Sequence, residues 1–125
     1  MKKILIVDDE KNARDGLGEL LRREGYDVST AENGEAALDL LQRRRINLVI
    51  TDIKMPKMNG LAFLQILQRD YPQIGVVMMT AYGGVETYLD AMRSGAVEYI
   101  IKPVRLDDLK QIMQRIFGEI LPEPA

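Results

Sequence analysis

Apolar residues in this chain follow two alternating rhythms: short β-branched blocks, and longer stretches in which leucines and alanines recur at three- and four-residue spacing. The first block, Lys3 to Asp8 (KILIVD), stops at acidic residues and predicts a strand buried on both faces. From Asn12 onward, Ala13, Leu17, Leu20 and Leu21 mark one face of a helix, which Gly25 ends where a C-terminal glycine belongs. Tyr26 to Ala31 predicts a second strand, and Asn33-Gly34 punctuates the chain before a helix carrying Ala36, Ala37, Leu38, Leu40 and Leu41. Asn47 to Thr51 (NLVIT) predicts a third strand running up to Asp52. The loop Met55 to Gly60 and a helix with Leu61, Phe63, Leu64, Ile66 and Leu67 follow. Gly75 to Thr80 (GVVMMT), Val85 to Ser94 and Val97 to Ile101 predict strand, helix and strand. A closing helix carries Leu106, Leu109, Ile112, Met113, Ile116, Phe117 and Ile120 on its apolar face, and Pro122-Glu123-Pro124 ends it.

Strands that alternate with helices pair in parallel through right-handed crossovers, so the pattern predicts an α/β, doubly wound sheet with helices on both faces. Sheets of this kind place their sites at the carboxyl ends of the strands. Asp8 and Asp9 follow the first strand, Asp52 the third, Thr80 the fourth and Lys102 the fifth. The topology predicts that these five residues converge.

Composition narrows the chemistry. The chain has 125 residues, 46% of them apolar, which suits one domain with a core of its own. With no cysteine and no histidine, it has no disulfide framework, thiolate metal site, histidine base or phosphohistidine of its own. Any phosphodonor must therefore come from outside. Net charge is −2, and the only tight basic run, Arg43-Arg44-Arg45, reads as a solvated helix end rather than a nucleic-acid footprint. Charge interrupts the N-terminal run MKKILIVDDE too early for a signal peptide, and no stretch approaches a membrane span. A cytoplasmic protein is expected.

Three carboxylates within a few ångströms repel by about 4 kcal/mol per pair at 4 Å and an effective dielectric of 20. Lys102 supplies one positive charge, and a hard divalent cation such as Mg²⁺ suits the remainder. Helix capping alone would account for Asp8 and Asp9, but not for Asp52, Thr80 and Lys102 on the same edge. A carboxylate in such a pocket can serve as a nucleophile and form an aspartyl phosphate, with Lys102 and the Thr80 hydroxyl answering the phosphoryl oxygens. Other α/β readings fit poorly. The acidic run DDEK would repel a flavin phosphate, there is no Walker loop, and Gly16-Leu17-Gly18 lies inside a helix.

The segments ILIVDDE, DIKMPKMNG, TAYG and YIIKP, in this order and at these distances, resemble the receiver domains of two-component response regulators. The segment TAYGGVETYLDAMRSGAVEYIIKP is most similar to receivers of nitrogen-regulation-type transcriptional activators. The resemblance runs from Lys2 to about Leu121, giving a receiver domain over 1–121 and a tail or linker start over 122–125. It implies a flavodoxin-like (βα)5 fold with strand order 2-1-3-4-5. It also implies phosphorylation of Asp52 by a histidine kinase, with Mg²⁺ held directly by Asp9, Asp52 and the Lys54 backbone carbonyl and by Asp8 through water. Thr80 and Tyr99 take switch roles, Lys102 precedes a cis proline, and Lys54 and Tyr82 flank the attacking water. By the same analogy, Ala13, Arg14, Leu17 and Gly18 set kinase preference. Tyr88 departs from the small residue usual at its position, and Asn59 from the usual aspartate. With Tyr99 and Met92, Tyr88 is expected to build an apolar face on the fourth helix and fifth strand, a candidate homodimer or output surface. Two alternatives stay open: a small aspartyl-phosphate phosphatase, with Glu10 the nearest acid–base candidate, and a phosphate-independent interaction module.

Overall fold

The computed structural model describes residues 1–81 and 84–118. Its elements alternate along the chain: β1 (Lys3–Val7), α1 (Lys11–Arg23), β2 (Asp27–Ala31), α2 (Gly34–Leu41), β3 (Leu48–Asp52), α3 (Gly60–Asp70), β4 (Gly75–Thr80), α4 (Val85–Arg93), β5 (Glu98–Ile101) and α5 (Leu106–Phe117). The strands form one parallel sheet in the order β2-β1-β3-β4-β5, as the resemblance implies.

Successive residues of a strand point to opposite faces, and here both faces are buried. Leu5, Val7, Val49, Val76 and Met78 meet Ala37 and Leu41 of α2, Phe63, Leu64 and Leu67 of α3, and Ala91 of α4. On the other face, Ile4, Ile6, Leu48, Ile50, Val77, Met79 and Ile100 meet Leu21 of α1 and Leu109, Ile112 and Met113 of α5. This double burial explains why the strands read as continuous apolar runs rather than alternating ones. Each such side chain contributes about 1.5–3 kcal/mol on burial, which lets the sheet tolerate a charged carboxyl edge.

Several expected strand starts move by one residue, for a common reason. The Tyr26 N–H returns to the Leu21 carbonyl at 3.2 Å, and Gly25, at φ +95°, completes the turn, so the end of α1 claims Tyr26 and β2 begins at Asp27. Asn47 stands before β3 and braces β1 twice, through its own N–H to the Lys3 carbonyl and through its Oδ1 to the Lys3 N–H, both at 2.8 Å. Val97 stands before β5, donating to the Val76 carbonyl at 2.8 Å. Ser94 caps α4, which ends at Arg93. The expected positions Tyr82, Gly83 and Ile120, and the tail 122–125, lie outside the described residues. At the amino edge of the sheet, the Lys2 ammonium lies over the Phe117 ring, 5.1 Å from its centre, beside Tyr26. No described helix is long and apolar enough to cross a membrane.

Candidate functional site

At the end of β1, Asp8 is almost completely buried. Its carboxylate divides its work. Oδ1 accepts the Glu10 N–H at 3.0 Å, closing the turn into α1, while Oδ2 accepts from Lys102 Nζ at 2.9 Å. The Oδ1 bond is a turn ahead of α1 and not a helix cap, and it occupies one oxygen only. Glu10 is the N-cap of α1 but makes no side-chain cap. Arg14, one turn into α1, donates from Nη1 to the Asp8 carbonyl at 2.8 Å and fixes the residue from behind.

Asp52 repeats this arrangement from the end of β3. Its Oδ1 accepts the Lys54 N–H at 3.1 Å, and its Oδ2 accepts from Lys102 Nζ at 2.7 Å. The loop that follows is folded tightly over the strand end. The Gly60 N–H donates to the Ile53 carbonyl at 2.7 Å, and a Cβ on Gly60 would lie 2.7 Å from the Ile53 Cα and against the Asp52 carbonyl. Only glycine fits there. Asn59 accepts the Ala62 N–H at 2.8 Å and starts α3, so asparagine at this position serves as a helix cap. Lys57, at the loop tip, has φ +70°.

Lys102 enters from the end of β5, its N–H donating to the Thr80 carbonyl at 2.7 Å, and the Lys102–Pro103 peptide is cis as expected. Burial pushes the ammonium down, but hydrogen bonds to Asp52 and Asp8 and the charges of both carboxylates outweigh it, so its pKa is raised. Thr80, buried, takes the last position of β4 at the same edge. Asp9 is exposed, and one carboxylate oxygen each from Asp8, Asp9 and Asp52 lie within 4.8 Å of one another. Oxygens gathered this closely are within reach of one hard divalent cation once the side chains draw in around it. Three carboxylates facing one ammonium leave two negative charges, the charge of one such ion. The donor set fits the metal.

Residues 4–114 match the response regulator receiver domain family. The chain belongs to that family. Receivers are the phosphorylation-activated switches of two-component response regulators, and the likeness to those of nitrogen-regulation-type activators also holds among relatives. This receiver is 41% identical over 115 residues to regulatory protein AtoC of Escherichia coli, covering 92% of the chain and 25% of that protein. It is 38% identical over 112 residues to response regulator protein PilR of Pseudomonas aeruginosa, covering 90% and 25%. The receiver therefore spans about a quarter of the length of these curated relatives. Among solved structures, TrrA of Thermotoga maritima in complex with Mg(2+)-BeF is similar at a TM-score of 0.84 and 38% identity, over 93% of this chain and 99% of that one. The chemotaxis protein CheY4 of Vibrio cholerae is similar at a TM-score of 0.88 and 30% identity, over 93% and 98%.

Not every expected residue reaches the acidic edge of this receiver. Tyr99 pairs with Met78, two steps below the Thr80–Ile101 pair, and so points to the same face as Thr80. Its hydroxyl is buried and has no hydrogen-bond partner among the described residues. Lys54 contributes its N–H to Asp52, and its side chain is exposed. On α1, Ala13 and Leu17 line a cavity of about 420 Å³ beside Asp8, Lys102 and Pro103. Gly18 faces Val28 and Thr30 of β2, and Arg14 is held by the Asp8 carbonyl. Met92 is partly buried against the core, and among the described residues the exposed large apolar side chains of α4 and β5 are Tyr88, Leu89 and Ile101, with Val97 just before the strand. Sequence reading missed the bracing roles of Arg14 and Gly60. The spacing from Asp8 to Arg14 carries no recognisable signal, whereas the NG pair before a helix pointed at least to a constrained turn.

Proposed function

We propose that Asp52 is the phosphoacceptor of this receiver and that a histidine kinase or a phosphotransfer protein supplies the phosphoryl group. The observation that carries the reading is the shared lysine: Lys102 holds one oxygen of Asp52 and one of Asp8, while the other oxygen of each is fixed by its own loop. A carboxylate so held presents a defined oxygen for in-line attack on phosphorus. As the new O–P bond forms, the bond from phosphorus to the donor nitrogen breaks, and the nitrogen leaves with the electron pair. The Lys102 ammonium then turns toward a phosphoryl oxygen, and the Thr80 hydroxyl donates to another. Asp8, Asp9, Asp52 and the Lys54 carbonyl would hold Mg²⁺, which supplies neutralisation of the phosphoryl charge. Water attacking phosphorus then breaks the new O–P bond, releasing inorganic phosphate and restoring the Asp52 carboxylate, so the chemistry is self-phosphorylation and self-dephosphorylation rather than turnover of a separate substrate.

Signalling follows from the added charge, with Thr80 and Tyr99 carrying the change to the face built by α4 and β5. The apolar side chains Tyr88, Leu89, Val97 and Ile101 support that face as a surface for a second copy or for an output domain. Relatives about four times as long support a regulatory domain beyond the receiver, which on this reading occupies 1–121 and acts in control of transcription. A cytoplasmic location goes with a kinase donor of this kind.

Intact-mass spectrometry after incubation with a small acyl phosphate tests the core of the proposal. One phosphoryl adduct that requires Mg²⁺ and is lost in Asp52→Asn is the expected result. A folded protein that takes no adduct under any condition would instead be a phosphate-independent interaction module.

A further inference from the structure

The buried hydroxyl of Tyr99 poses a physical problem. A phenol hydroxyl removed from water without a partner is unfavourable, and β5 is an edge strand, so rotation of the ring outward would return the hydroxyl to solvent. Something must oppose that rotation. The ring of Tyr88, on the exposed side of α4, meets the Tyr99 ring edge to face, with centres 5.5 Å apart and planes at 88°. This geometry is favourable for aromatic pairs. Tyr88 is itself 45% exposed, so the core does not require its ring. Its position is also secured: the Tyr88 N–H donates to the Gly84 carbonyl at 3.0 Å in the first turn of α4.

We propose that Tyr88 is a latch that holds Tyr99 in its buried position before any phosphoryl group arrives. The latch concerns where the Tyr99 ring rests, and its consequence for signalling rests on the switch reading of Thr80 and Tyr99. Tyr99 points to the same sheet face as Thr80, two residue pairs farther from the carboxyl edge, so a ring held inward is the next side chain down that face from the threonine pair. Tyr88 thereby biases the resting receiver toward the inward arrangement, and any contact that draws Tyr88 away from Tyr99 releases that bias.

Nitration of tyrosine by tetranitromethane, read by tryptic peptide mass, tests the latch on the whole chain without a phosphodonor. Trypsin does not cut between Lys102 and Pro103, so the peptide running from Ser94 to Arg105 contains a single tyrosine, Tyr99, and the readout is unambiguous. In Tyr88→Ala, Tyr99 should be nitrated roughly fivefold faster than in the wild type, the factor that an aromatic pair of ordinary strength is worth. Tyr88→Phe, which keeps the ring, should leave the rate unchanged. Tyr88→Leu keeps apolar bulk but no edge-to-face partner, and should also expose Tyr99, so the proposal stays testable if the alanine variant fails to fold. Equal nitration of Tyr99 in the folded leucine variant and the wild type would overturn the latch. The Asp52 adduct, measured on the same samples, separates the two readings: loss of the adduct in wild type sinks the switch, whereas unchanged nitration sinks the latch alone.

Discussion

At the scale of single residues, the acidic edge works by dividing oxygens. Asp8 and Asp52 each give one oxygen to a backbone N–H and the other to Lys102, so neither carboxylate can rotate without losing a bond. Lys102 has a raised pKa, and the sign of its effect follows: its contribution to stability is complete below the unfolded value of about 10.4 and is lost as pH rises through the higher folded value. Urea unfolding of the metal-free protein should therefore show a steeper loss of stability above about pH 10.4 in wild type than in Lys102→Met, with tyrosine titration common to both. Lys57 offers a simpler test. At φ +70° a side chain is strained, and Lys57→Gly should stabilise the chain by about 0.5–1 kcal/mol, read from the urea midpoint.

At the scale of elements, the loop from β3 to α3 is the most tightly constrained connection of the site. Adding one methyl at position 60 drives it against Ile53 and Asp52, so Gly60→Ala should cost about 1–3 kcal/mol in thermal unfolding and slow formation of the Asp52 adduct. Much of the fold was legible because strands buried on both faces leave unbroken β-branched runs, and NLVIT or GVVMMT admit few other readings. Strand starts were less legible. Tyr26, Asn47 and Val97 carry strand-like side chains or neighbours, but their backbone groups are claimed by a helix end or by bracing bonds that no residue pattern reveals. The acidic cluster was legible because a topological rule, not a local motif, brings Asp8, Asp9, Asp52 and Lys102 to one edge. The bond from Arg14 to the Asp8 carbonyl and the inward fit of Gly60 needed three dimensions, since both act on backbone atoms.

For the whole molecule, the clustered carboxylates of the carboxyl edge repel one another, a cost that a bound cation would relieve. A ligand that binds only the folded state stabilises it by about 2.7 kcal/mol at one hundred times its dissociation constant. Melting temperature should rise with Mg²⁺ in wild type, and the variant Asp9→Asn should reverse the order of stability. In EDTA, removing one repelling charge should make the variant more stable by about 1 kcal/mol, whereas in saturating Mg²⁺ the wild type should melt higher. Thermal melts of both proteins in the two buffers give the answer directly; parallel shifts would show that Asp9 does not hold the metal.

The contact between Lys2 and Phe117 fixes a polarity in the molecule. It brings the start of β1 and the far end of α5 together at the amino edge, while the acidic residues gather at the carboxyl edge, separated by a strand of five residues that spans about 16 Å. The end of α5 thus lies at the pole opposite the acidic residues. On the reading proposed for Asp52, a change there would have to travel over the helical flanks to be felt at that end. The flanks, and not the amino edge, are where such a change would first register.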